Sequence, residues 1–176
     1  RYRLLDQIPP AQRPVVFVGP YEHHSNELPW RETIADVVVI GTDGHIDQAG
    51  LSAQLTRYAE RPLRIGSFSA PSNVTGILSD ADAIAALLHA SGALSFWDHA
   101  AAGPYVPIRA GESAPGAGDH KDAIFLSPHK FIGGPLTPGV LVVHRDLVRN
   151  QVPTVPGGGT VAFVDPTGHR YLDDPV

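Results

Sequence analysis

Ala123-Ile-Phe-Leu-Ser-Pro-His-Lys-Phe-Ile-Gly-Gly-Pro135 is the stretch whose reading decides the fold. Four apolar residues follow charged Lys121 and Asp122, which reads as a buried strand. The strand runs into Ser127, Pro128, His129 and Lys130 and then into a Gly-Gly-Pro turn. Lys130 has apolar neighbours on both sides, Phe125 and Leu126 before it and Phe131 and Ile132 after it. A lysine buried among them would lose its proton more readily and become a nucleophilic amine. Ser127 and His129 offer a hydroxyl and an imidazole to an anion. An amine beside anion donors at a strand end suits an aldehyde cofactor that carries a phosphate. The plainer reading is a surface lysine after a core strand, since lysine is mostly exposed.

Working outward, four more apolar runs alternate with helical patterns. Residues 15–18 and 36–40 read as strands by their β-branched content. Residues 63–68 and 93–97 read as two more, and 139–143 as a sixth after the lysine stretch. Between them, residues 28–32 form a short helix, and 49–60 a longer one behind Asp47 as N-cap, with Leu51 and Leu55 on one face. Asp80 caps a helix over 82–89, striped by Ile84, Leu87 and Leu88 and stopped by Gly92. Thr42-Asp-Gly-His45 is a turn, and the polar loop holding Pro104, Pro107 and residues 111–118 is exposed. Residues 153–159 make a glycine-rich loop, and the tail after it is irregular. Alternating strands and helices predict an α/β domain with three layers, α/β/α, around a mainly parallel sheet. Strands that are apolar throughout place cover on both faces of that sheet. Only residues 128–138 separate the fifth and sixth strands, too few for a crossover helix, so the sixth is expected antiparallel.

The chain has 176 residues, 43% of them apolar, enough for one domain whose core spans about residues 15–150. A net charge of −5 gives no general affinity for nucleic acid or anionic membranes. No apolar run approaches a membrane span and no signal peptide opens the sequence, so the protein reads as cytoplasmic. Cysteine is absent, which removes disulfides, thiolate metal sites and a cysteine nucleophile. Methionine is absent too and the chain opens on Arg1, which reads as a piece of a longer protein. Arg1-Tyr-Arg-Leu-Leu-Asp6 looks like the tail of a helix begun upstream, and Asp173-Asp-Pro-Val176 stops without a terminal element.

Four polar clusters begin where strands end: His23-His24, Asn73, Asp98, and Ser127-His129-Lys130. Ligands of open α/β sheets bind at the carboxyl ends of the strands, so all four point to one crevice. Around pyridoxal phosphate each has a use. Lys130 forms the Schiff base, and Asp98 pairs with the pyridinium nitrogen so that the ring acts as an electron sink. His23 stacks on one ring face, with small Ala100 under the other. Asn73 donates to the ring hydroxyl, and Ser127 and His129 hold the phosphate. Each also has a structural reading: Asp98 as a helix N-cap, Asn73 as a turn former, and His23 as a satisfied loop histidine.

Glu22-His-His-Ser-Asn26 with Pro29-Trp30, Pro71-Ser-Asn-Val-Thr-Gly76, Asp98-His-Ala100, and Ser127-Pro-His-Lys130 with Gly133-Gly134 together resemble the class V aminotransferase family. That family includes cysteine desulfurases and selenocysteine lyases. The resemblance runs over about residues 15–174. It implies the large domain of a fold-type I enzyme dependent on pyridoxal 5'-phosphate, incomplete here at both ends, that forms a homodimer and acts on an amino acid. It implies the roles given above for Lys130, His23, Asn73, Asp98, Ala100, Ser127 and His129. Ala101 stands where desulfurases often carry glutamine, and Pro128 replaces a smaller residue. The family's upstream phosphate loop, its downstream small domain, its carboxylate-binding arginine and the sulfur-accepting cysteine are not in this sequence. The 176 residues alone are therefore expected to hold the cofactor weakly. Two other readings stand beside this one. A metal hydrolase would use His23, His24, Asp98 and His129, although no His-x-x-x-His spacing supports a metal site. A truncated, non-catalytic binding fragment would expose sheet edges and apolar helix faces to a partner.

Overall fold

A computed structural model describes residues 3–41 and 43–172. The expectations for Thr42 in its turn and for residues 173–176 lie outside the described residues, as do Arg1 and Tyr2. The described chain separates into a compact unit up to Val143 and a second from His144.

The first unit runs α1 (Leu4–Gln7), β1 (Val15–Val18), α2 (His24–Arg31), β2 (Asp36–Val39), α3 (Gln48–Arg57), β3 (Arg64–Ser69), α4 (Ala81–Ala90), β4 (Leu94–Asp98), β5 (Ala123–Leu126) and β6 (Val140–Val143). One six-stranded sheet results, in the order β2-β1-β3-β4-β5-β6. The first five strands are parallel, and β6 is antiparallel to β5, as the short connection requires.

Strand β1 shows why the sheet is covered twice. Successive side chains point to opposite faces, and all four of its residues are fully buried. Val15 and Phe17 join Leu51 and Leu55 of α3, Ile84 and Leu88 of α4, Phe68 and Trp97 in one cluster. Val16 and Val18 join Ile65 in another, covered by Trp30 of α2, Val37 and Phe96. The helices thus form a layer on each face, in the three-layer α/β/α arrangement. Gly66 makes the closest approach possible. A Cβ there would meet Leu88 Cδ1 at 2.6 Å and Phe68 Cε2 at 2.7 Å, so α4 seats on β3 only because that side chain is missing.

Helix α2 begins four residues before the expected start and keeps Pro29 inside it. His23 is its N-cap, with Nδ1 accepting from Ser25 N at 3.2 Å. Asp47 holds the N-cap position of α3 without a side-chain cap bond, whereas Asp80 Oδ1 accepts from Ala83 N at 3.1 Å and caps α4.

In the second unit, the tail expected to be irregular contains a hairpin of β7 (Val161–Asp165) and β8 (Gly168–Tyr171). Asp165 Oδ1 accepts from Thr167 Oγ1, Thr167 N and Gly168 N at 2.7 to 2.8 Å and closes the turn. These bonds hold its carboxyl below the usual carboxylate range, with the Thr167 hydroxyl as the largest cause.

Candidate active site

The C-terminal edge of the sheet is built by register. Ser69 at the end of β3 pairs with Asp98 at the end of β4, and Asp98 pairs with Phe125 of β5. The chain leaves each strand there, so the side chains just beyond the strands converge. A cavity of about 300 Å³ opens at this edge. His23, Asn73, Asp98, Ala100, Ser127, His129 and Lys130 all line it, and Ser25, Ser69, Pro71 and Ala101 complete the wall. The structure therefore brings all seven residues read from the sequence to one hollow.

Lys130 departs from expectation in its burial. It is exposed, at the end of a 3-10 turn over Pro128–Lys130. The apolar neighbours that were to enclose it point elsewhere: Phe131 lies against Gly103, and Ile132 is fully exposed. Among the described residues no hydrogen bond or ion pair holds Lys130 Nζ. The turn itself is firm, with Lys130 N donating to Ser127 O and Phe131 N to Pro128 O, each at 2.9 Å. Gly134 lets the chain fold back on this turn, since a Cβ there would sit 2.0 Å from Pro128 O.

Asp98 Oδ1 accepts from Ala100 N at 2.7 Å. This ties the carboxylate to the chain that turns under it, in a short turn and not at the head of a helix. Asn73 sits in the turn between Pro71 and Leu78, which Ser72 stabilises through Oγ to Val74 N and Thr75 N. Its turn-forming and cavity-lining readings hold together. His23 Nδ1 also lies 3.1 Å from Ser25 Oγ. With Nδ1 accepting from the Ser25 amide, the hydrogen of a neutral ring falls on Nε2.

Two features here were not read from the sequence. Glu22 is the hub of a polar chain beneath the site. Its carboxylate accepts from Gly19 N (3.0 Å), Ser69 N (3.0 Å), Ser69 Oγ (2.6 Å) and Asn26 Nδ2 (2.8 Å). Ser67 Oγ donates to Asn26 Oδ1, and Trp30 Nε1 donates to Ser67 Oγ. The glutamate, asparagine and tryptophan of the Glu22–Trp30 stretch thus fix α2, and with it His23, against the end of β3. The second feature is His99, next to Asp98 but buried beside a separate pocket that Arg109 and Lys121 also line, with no hydrogen-bond partner for Nδ1 among the described residues. Desolvation pulls its pKa below the ordinary value of 6.5; the Asp98 charge opposes this and the Lys121 charge adds to it.

Among the described residues, His23, His24, Asp98 and His129 do not form a metal-sized cluster; the group close enough to do so is His89, His120 and Asp122.

An open, mainly parallel sheet with a polar hollow at its carboxyl edge, lined by a lysine and a carboxylate among others, defines an α/β protein with a candidate ligand site. The family model for aminotransferase class-V matches residues 4–176, and the chain belongs to that family. It is 31% identical over 166 residues to a probable cysteine desulfurase of Methanothermobacter thermautotrophicus, covering 92% of this chain and 39% of that protein. It is 33% identical over 112 residues to a histidine decarboxylase of Mesorhizobium japonicum, covering 62% of this chain and 30% of that protein. Among solved structures, a cysteine desulfurase from Escherichia coli superimposes with a TM-score of 0.72 at 25% identity, over 93% of this chain and 40% of the other. The chain thus spans about two fifths of the desulfurases it matches. The sheet and helices are those of the fold-type I large domain.

Proposed function

We propose that this chain is the cofactor-binding part of a pyridoxal-phosphate-dependent enzyme that acts on an amino acid. The observation that carries the reading is the meeting of Lys130 and Asp98 in one hollow with five other polar or small residues, inside a chain of this family. The donor set fits the group. Lys130 offers an amine with no protein partner to an aldehyde carbon, and Asp98 a carboxylate to a ring nitrogen. His23 and Ala100 would flank a flat ring, Asn73 would bond its hydroxyl, and Ser127 and His129 would hold its phosphate. The bound cofactor would supply the electron sink for bonds at the substrate α-carbon.

The chain's own residues do the rest. The turn at Ser127–Phe131 puts Lys130 on the cavity wall, where its amine would hold the cofactor and move a proton at the substrate carbon. His23, fixed by Ser25 and by α2, presents Nε2 as the second proton-handling group. The relatives' names favour removal of sulfur from cysteine. This sequence contains no cysteine, so the sulfur acceptor of such a reaction is not among these residues. The working form is a homodimer in the cytoplasm. Among the described residues no helix is long and apolar enough to cross a membrane.

The test is borohydride reduction of the full-length protein carrying this chain. The cofactor absorbance is expected to become fixed to the peptide that contains Lys130, and Lys130→Ala is expected to abolish fixation and lower turnover at least about 10³-fold. Fixation that survives Lys130→Ala would refute the assignment. A substrate screen that reads sulfide, alanine and keto-acid release together then assigns the reaction.

A further inference from the structure

A second polar cluster lies at the opposite ends of β4 and β5, away from the cavity. His89 closes α4, and His120 and Asp122 are in the last residues before β5. One ring nitrogen of each histidine and a carboxylate oxygen of Asp122 all lie within 4.8 Å of one another. His89 Nε2 is 2.9 Å from Asp122 Oδ2, and His120 Nε2 is 3.6 Å from Asp122 Oδ1. The two imidazoles stack with centroids 4.0 Å apart and planes 18° from parallel. Asp122 is 6% exposed, and its Oδ2 also accepts from Ser95 N at 2.8 Å.

Donors and acceptors do not balance around His89. Its Nδ1 is 2.6 Å from Gly118 O, which can only accept, so Nδ1 carries a hydrogen. A neutral ring then has a bare lone pair at Nε2, yet Nε2 faces the Asp122 carboxylate, another acceptor. A positive centre between them, a proton or a metal ion, resolves the clash. Lys121, the neighbouring ammonium, is committed to Asp82 and to Asp119 O. A proton on His89 satisfies that one histidine and Asp122, whereas a metal ion would be met by His120 Nε2 as well. A metal ion uses all three.

We propose that His89, His120 and Asp122 bind one divalent transition-metal ion of the zinc type. Two imidazoles and one carboxylate are a normal donor set for zinc, with a further position left for water. The Gly118 carbonyl on the far nitrogen of His89 is the outer contact that orients a metal-bound imidazole. The side chain of His120 is 34% exposed, so an ion can enter from solvent and the ring can turn to meet it. The ion's role is mechanical. It joins the end of α4, the start of β4 and the far end of loop 99–122, whose first residues wall the candidate active site.

The test uses untagged full-length protein stripped with a chelator and titrated with zinc chloride by calorimetry. One zinc ion per chain is expected, with a zinc-dependent rise in melting temperature. His120→Ala removes a half-exposed ring, is expected to leave the fold intact, and should weaken zinc at least tenfold and abolish the melting shift. His24→Ala, which breaks up the adjacent His23–His24 pair, should leave zinc affinity unchanged. Absence of saturable zinc binding, equal affinity in His120→Ala, or loss of binding in His24→Ala would each overturn the proposal.

Discussion

Strands β4 and β5 end in polar groups at both edges of the sheet, and the two edges are built in opposite ways. At the carboxyl edge, among the described residues, no hydrogen bond or ion pair holds exposed Lys130 Nζ, Asp98 is tied to its own turn, and the side chains stand around a hollow. At the amino edge, Asp122 is buried, accepts from Ser95 N and pairs with His89, which ties the end of α4 to the strands. A polar group left unsatisfied in a cavity is available to a ligand, whereas one satisfied by the protein contributes to the fold. The same two strands thus carry a candidate ligand site at one end and a protein-bonded cluster at the other.

Substituting Asp98→Asn would put the greatest strain on this contrast. The amide oxygen keeps the Ala100 bond, so stability should change by no more than about 0.5 kcal/mol, while turnover should fall about 10²- to 10⁴-fold if the carboxylate faces the cofactor ring. Denaturant melts and steady-state rates on the full-length enzyme read both quantities, and a large stability loss would erase the distinction between the edges. Asp122→Ala should do the reverse in metal-free protein. It leaves Ser95 N and His89 without their acceptor and should cost about 3 kcal/mol of stability, as measured by urea unfolding. A silent Asp122→Ala would mean the amino edge is not cohesive.

The smallest effect is a pH dependence from His99, which feels the charges of both Asp98 and Lys121. Its folded pKa lies below 6.5 because of burial, so the unfolded chain binds a proton more readily. Stability should be fully present above the unfolded value and decline as pH falls below it toward the folded value. His99→Gln should flatten that stretch of the melting-temperature profile, and a profile already flat in the wild type would remove His99 from the account.

Much of this architecture was legible in the residues. Val15–Val18 announced itself by β-branched content, and the antiparallel β6 followed from the short stretch between it and β5. The positions lining the cavity were legible because strand ends and motifs coincide. The start of α2 was hidden, since histidine is a poor signal for an N-cap and Pro29 argues against a helix around it. The β7–β8 hairpin had a signal that was passed over: the apolar run Val161-Ala-Phe-Val164 followed by the turn residues Asp165-Pro-Thr-Gly168. The burial of Lys130 was misjudged because flanking residues in a 3-10 turn diverge instead of enclosing their neighbour. The Glu22 hub and the His89–Asp122 contact join groups 47 and 33 positions apart, so no local pattern could show them.

Because β6 runs back beside β5, with Leu126 opposite Val140, the segment that bears Lys130 is clamped at both of its roots by adjacent paired residues. The backbone that carries this amine has already given up part of its freedom before any ligand arrives. Binding then has less backbone ordering left to impose, and this part of the cavity's wall is set in place by strand pairing instead of by a guest.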